Sequence, residues 1–170
     1  MEIIRSGILF LLLSCAWVTA AQDAVSSEVF VNTNGETVMH CWCTTLAPVD
    51  SIWRAIASSD GLARWAAPAA HVELRIGGSY ELYFRPDQPK GKRGMEGNRI
   101  LSYNVNRMLS YSGGLPDTWV VYSIESAREA STIHFHAMGT HPEWVSKCRE
   151  QTPAVASFIQ KLCVHLNAGR

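Results

Sequence analysis

The chain lacks most of the features that announce a chemistry. Its 170 residues contain no Gly-x-Ser-x-Gly, no His-Glu-x-x-His and no glycine-rich phosphate loop. The common signatures of serine hydrolases, zinc peptidases and nucleotide binders are therefore missing. Charge of one sign is not in excess either, since 15 basic residues face 15 acidic ones. The only basic cluster, Lys90, Lys92 and Arg93, sits in a Pro- and Gly-rich loop, and a solvated loop is the better reading than a nucleic-acid surface. Long apolar runs are scarce too. The single one, Ile8 to Trp17, is shorter than the roughly 20 residues that span a bilayer, so no membrane span is expected. Repeats and internal linkers are absent.

That one run carries information of its own. Arg5 precedes it, and Val18-Thr19-Ala20 follows with small residues where a signal peptidase reads. Residues 1–20 are thus expected to be a signal peptide cleaved near Ala20, and the product periplasmic or secreted. About 150 residues then remain, enough for one domain with a sizeable core. Residues 21–36 read as an N-terminal extension that can add a strand, and residues 37–170 as the domain itself.

The pattern along the domain changes period several times. Glu28–Val31 and Thr37–Thr45 read as strands around the turn signal Asn32-Thr33-Asn34-Gly35. Pro48 suits a first helical turn, and Val49, Ile52, Trp53 and Ile56 then recur at helical spacing. Asp60 is the expected N-cap of a short helix running to Trp65. Gly77-Gly78 is the expected two-residue turn of a hairpin made by Val72–Ile76 and Tyr80–Phe84. A polar loop, Pro86–Gly97, follows. Strands are then expected near Asn98–Tyr103, Met108–Ser112, Trp119–Ile124 and Thr132–Met138. Pro142 opens a last helix that Pro153 should interrupt or kink. Beyond it, Val155, Phe158, Ile159, Leu162 and Leu166 form an apolar stripe. Strands followed by a long terminal helix imply an α+β domain.

Five segments carry a family resemblance: A-P-V-D-S-I-W from Ala47, D-G-L-A-R-W from Asp60, R-I-G-G-S-Y from Arg75, G-M-E-G-N-R-I from Gly94, and P-E-W from Pro142. From about Thr44 to Leu166 the chain resembles the SRPBCC superfamily, the START-like or helix-grip proteins, in the branch named after the activator of the heat-shock-protein-90 ATPase. The resemblance implies a curved antiparallel sheet around a long C-terminal helix, with two short helices after the first strand. It also implies a cavity between sheet and helix, which family members use for lipids, sterols, polyketides and other apolar molecules.

Four cysteines remain once Cys15 leaves with the signal. Cys41 and Cys43 share a strand face, in positions the family fills with inward apolar residues, and Cys163 borders the apolar face of the helix packed over that sheet. A disulfide from Cys163 to Cys41 or Cys43 is one reading, with Cys148 taking the other. Four buried free thiols is the second. A C-x-C pair splays poorly around a tetrahedral zinc ion, so no metal is expected.

The residues expected to line the implied cavity begin with Tyr80, Leu82 and Phe84, which share one strand face, and Ile133 and Phe135, which share another. Trp65, Tyr111, Trp119 and Phe158 add aromatic surface. Glu96 and Asn98 stand at a loop-to-strand junction beside Arg99, where a carboxylate or amide can orient a polar ligand head. Glu96 can equally be a brace to Arg99 or Arg64, and the aromatics can be plain core. His134 and His136 fall on the outer sheet face, where surface histidines are the simplest reading. The expected function is binding of a small hydrophobic or amphipathic ligand, with no cofactor and no nucleic acid. Two alternatives stand beside it. One is a cyclase- or hydrolase-like enzyme drawing on Glu96, His71 or Tyr111 for acid–base work; the other is a co-chaperone-like interaction module.

Overall fold

A computed structural model describes residues 24–168. The expected signal peptide lies outside the described residues. Among the described residues nine strands and three helices follow in chain order. A six-stranded antiparallel sheet has the order β1-β2-β9-β8-β7-β6. Its strands are β1 Ser26–Val31, β2 Thr37–Thr45, β6 Ile100–Asn104, β7 Met108–Ser112, β8 Thr118–Ser126 and β9 Ser131–Gly139. A smaller sheet pairs β3 Ala69–Val72, β4 Tyr80–Tyr83 and β5 Gly94–Met95. The Ser79–Arg99 bridge and the bond from Tyr80 N to Asn98 O at 3.0 Å stitch β4 to the lead-in of β6. The two sheets thereby share one curved inner face.

Strict alternation gives that inner face. Along β9, Ile133, Phe135 and Ala137 are buried while His134 and His136 are half-buried on the outer side. β2 does the same with Met39, Cys41 and Cys43 against His40 and Trp42. Over the inner face lies α3, Pro142–Ala168, which buries Trp144, Cys148, Ile159, Leu162, Cys163 and Leu166. It runs parallel to β2. Near its start Trp144 Nε1 donates to Thr37 O at 2.8 Å, and near its end Thr45 Oγ1 donates to Asn167 Oδ1 at 2.9 Å. Cys43 and Cys163 are joined by a disulfide, while Cys41 and Cys148 are buried free thiols. One strand-to-helix bridge therefore forms, and the second expected pairing does not. Burial raises the Cys41 thiol pKa to about 11, with Cys148 nearby adding to the shift. Both thiols sit as small hydrophobes in the core.

Three local expectations need correcting. Ser58, not Asp60, caps α2 (Ser59–Ala63), its hydroxyl accepting Gly61 N–H at 3.0 Å. Both are capping residue types, and the helix begins two residues earlier than the Asp-Gly pair suggests. Val72 pairs directly with Tyr80, so the connection is seven residues long rather than a two-residue Gly-Gly turn. Its residues bond inward on themselves, and Gly77, at φ +75°, sends its N–H to Ile100 O at 2.8 Å. Of the two outcomes expected at Pro153, interruption does not occur, since α3 continues through it. The carbonyl that proline leaves without its donor belongs to Arg149, on an exposed turn where water reaches it. Thr152 Oγ1 bonds the preceding carbonyl, Cys148 O, at 2.9 Å.

Candidate functional site

The inner face carries a row of rings across four strands. Tyr80 on β4 stacks on Tyr111 of β7 with centroids 4.1 Å apart. Tyr111 is 6.4 Å from Tyr122 on β8, which meets Phe135 of β9 edge-on at 5.1 Å. Burial pushes the phenol pKa of Tyr80, Tyr111 and Tyr122 well up, so all three are neutral across the physiological range. Leu82, Ile133 and Trp65 complete this buried wall. Phe158 of α3 is half-buried against it, its ring 4.9 Å from that of Trp65.

Two of these side chains have committed polar ends. Tyr80 Oη donates to Ile56 O at 2.9 Å and Trp65 Nε1 to Ala55 O at 3.0 Å. With Ser58 Oγ on Arg54 O at 2.8 Å, they take up three successive carbonyls at the C-terminal end of α1 (Val49–Ala57), which the helix itself cannot satisfy. Both residues lie in the family-like segments.

Two of the expected lining residues are placed elsewhere. Phe84 lies past the end of β4 and is 46 % exposed, because the strand stops at Tyr83 and the alternation ends with it. Trp119 alternates with buried Val120 and pairs with Met138 on the outer side of the sheet. It nevertheless borders a cleft of about 410 Å³, where Val120 and Ala137 of the inner face meet Trp144 and Gln151 of α3, with Gly113 to Leu115 at the rim. This is the opening between sheet and helix. A larger hollow, about 500 Å³, lies apart from the inner rings among α1, α2 and the end of α3, bordered by Arg54, Arg64 and His165.

The polar candidates separate. Asn98 is 3 % exposed, on the same side as Ile100, and its Nδ2 is the one buried side-chain nitrogen or oxygen without a partner among the described residues. Such a donor calls for an acceptor. Glu96 instead pairs with Arg93 and accepts Gly91 N–H, bracing its own loop; neither Arg99 nor Arg64 is its partner. Arg99 donates to Ser79 Oγ at 2.6 Å. Glu81 accepts Tyr83 Oη at 2.5 Å and Gly97 N–H at 2.8 Å. Partial burial would raise the Glu81 carboxyl, but those hydrogen bonds and the charges of His71 and Arg99 bring it net below its usual range. His71 is surface-exposed beside Glu73, 3.7 Å away. The three acid–base candidates, Glu96, His71 and Tyr111, thus do not converge.

On the outer face the structure adds a residue that the spacing of His134 and His136 did not reveal. His40 of β2 stacks on His136 at 4.2 Å and bonds His134 through Nε2 to Nδ1 at 3.0 Å. The signal was present in the alternation: His40-x-Trp42 on one strand faces His134-x-His136 on its partner. The rings lie face to face instead of pointing their nitrogens at one centre. Among the described residues no group of three His, Cys, Asp or Glu side chains is disposed to hold a metal ion.

The fold and this inner face define an α+β helix-grip domain. Residues 46–157 match the model of the Activator of Hsp90 ATPase homolog 1-like protein family, and the chain belongs to that family. Among solved structures it is similar to CalU16 from Micromonospora echinospora, with a TM-score of 0.63, 19 % identity, and 84 % of this chain and 86 % of that one covered. The Aha1 dimer from Colwellia psychrerythraea gives 0.62 at 16 % identity, covering 78 % and 98 %. DynU16, of the dynemicin biosynthetic locus, gives 0.61 at 18 % identity, covering 78 % and 48 %. At these identities the likeness is one of fold. Curated proteins offer no match to the sequence. Among the described residues no helix is long and apolar enough to cross a membrane.

Proposed function

We propose that this chain is an exported binding protein that holds a small apolar or amphipathic molecule between the curved sheet and α3. The observation that carries the reading is the cleft of about 410 Å³ beside Val120, Ala137 and Trp144, which opens between the two layers. Small-molecule sites are concave and set a few polar groups among apolar walls; here Val120, Ala137 and Trp144 supply the apolar side. The polar element at the cleft itself comes from Thr118, Glu143 and Gln151. Membership of a helix-grip family supports the same reading, as does one structural neighbour's place in a biosynthetic locus. Export rests on the leader-like residues 1–20 and accords with the Cys43–Cys163 bridge, since disulfides persist in oxidising compartments.

Thermal unfolding against a library of fatty acids, sterols and polycyclic aromatics tests the binding. A ligand at about 100 times its Kd adds about 2.7 kcal/mol to stability, so a hit raises Tm by several degrees. Ala137→Trp fills the cleft and should abolish that shift while the fold persists. No shift with any class, or a shift that the tryptophan leaves intact, contradicts the site.

A further inference from the structure

Glu28, His40, His134 and Glu125 stand on four adjacent strands, β1, β2, β9 and β8, on the outer face of the sheet. Their protons can be counted. An ionised carboxylate only accepts, so Glu28 Oε1, 3.0 Å from His40 Nδ1, requires the proton to sit on that nitrogen. A neutral His40 then presents a lone pair at Nε2, and His134 Nδ1 at 3.0 Å must donate to it. This leaves a second lone pair, on His134 Nε2, facing Glu125 Oε2 at 3.5 Å. Three contacts need three protons, and two neutral imidazoles supply two. One further proton, taken from solvent onto His134 Nε2, gives carboxylate, imidazole, imidazolium, carboxylate, with every N–H aimed at an acceptor.

We propose that these four side chains are a proton-binding relay that takes up a single shared proton and, holding it, clasps β1, β2, β9 and β8 across the outer face. Nothing in this depends on the ligand site.

Two neighbours limit the count to one. His136 lies on the His40 ring, centroids 4.2 Å apart and planes 9° from parallel, and is 6.2 Å from His134. Stacked imidazoles accommodate one cation, but two at that separation repel. Trp42 covers His40 as well, at 4.5 Å, so that ring is held between two stacked neighbours. The groups facing the row are thus Glu28 from β1, His40 from β2, His134 and His136 from β9, and Glu125 from β8. Burial lowers the pKa of both His134 and His136, the latter to about 4, while Glu125 acts the other way on His134.

The test is an NMR titration of the imidazole nitrogen and Cε1 signals in the full chain, from about pH 8 to about pH 4. His40 and His134 should shift together in one step worth one proton, with His136 still neutral when that step is complete. Glu28→Gln, an exposed change on an edge strand, should lower the midpoint by about one unit. Protection factors of the β1 amides, with the intrinsic pH dependence of exchange divided out, should rise as the step completes and should stay level in His134→Gln. Independent uptake of one proton by each of His40 and His134, a midpoint unmoved by Glu28→Gln, or β1 protection factors that do not change across the step overturns the proposal.

Discussion

Tyr80 and Trp65 each serve two structural ends with one side chain. The ring of Tyr80 stacks on Tyr111 while its hydroxyl takes a helix-end carbonyl, Ile56 O, that no backbone N–H reaches. Tyr80→Phe keeps the stack and strands that buried acceptor, which should cost about 1–3 kcal/mol in urea unfolding. Tyr80→Ala also opens a cavity and should cost about 3–5 kcal/mol. A Phe variant as stable as the parent would show that the bond contributes nothing. His136 sets a pH dependence at the same scale. Its pKa falls from an ordinary 6.5 to about 4, chiefly through burial and then through the neighbouring histidines. The unfolded chain therefore binds the proton first as the solution is acidified. Its contribution is complete above about pH 6.5 and is lost as pH falls toward 4. Urea midpoints should drop over that window, and His136→Phe should flatten the drop. An unchanged slope in the variant would remove His136 from the account.

At the scale of elements, α1 and α2 are pressed together at one glycine. A Cβ on Gly61 would overlap the Arg54 carbonyl, a backbone atom that cannot yield without moving α1. Gly61→Ala should therefore destabilise by about 1–3 kcal/mol despite its better helix propensity, measured as a lower urea midpoint at unchanged m-value. A neutral or stabilising outcome would mean the helices separate freely. The D-G-L-A-R-W segment was legible as a helix with a tryptophan at its end. Which residue caps it was not, because Ser58 and Asp60 are both capping types two positions apart. The Gly77-Gly78 pair was legible as a turn, but its length depends on where β3 stops pairing, and that is settled by bonds to Ile100 far along the chain. Pro153 misled for a related reason. A local rule predicts a break, yet the orphaned carbonyl is exposed and the helix is held on both sides by its packing on β2.

Across the whole molecule, the Cys43–Cys163 bridge ties the second strand to the last helix over a separation of 120 residues. Closing so long a loop in the unfolded chain is worth typically about 2–4 kcal/mol. Cys163→Ser should lower the urea midpoint by that much, and reductant should do the same to the parent but not to the variant. Equal midpoints with and without reductant would mean the bridge contributes nothing to folding. The helix-grip architecture was readable because period, punctuation and the five family-like segments agree along the chain. Site detail was less so. Alternation placed Tyr80, Leu82, Ile133 and Phe135 inward, but a strand ending one residue early moved Phe84 out. Cross-strand neighbours such as His40 become visible only once β2 and β9 are in register. The central claim, as proposed above, is that the chain is exported and that a small molecule occupies the space between sheet and helix. Native mass spectrometry of the protein purified from its own host tests it most directly. The account predicts a chain beginning near Ala21, two hydrogens lighter than its fully reduced form, carrying an adduct of a few hundred daltons that solvent releases and Ala137→Trp excludes. An uncleaved chain, or a mature one that never carries an adduct, would contradict it.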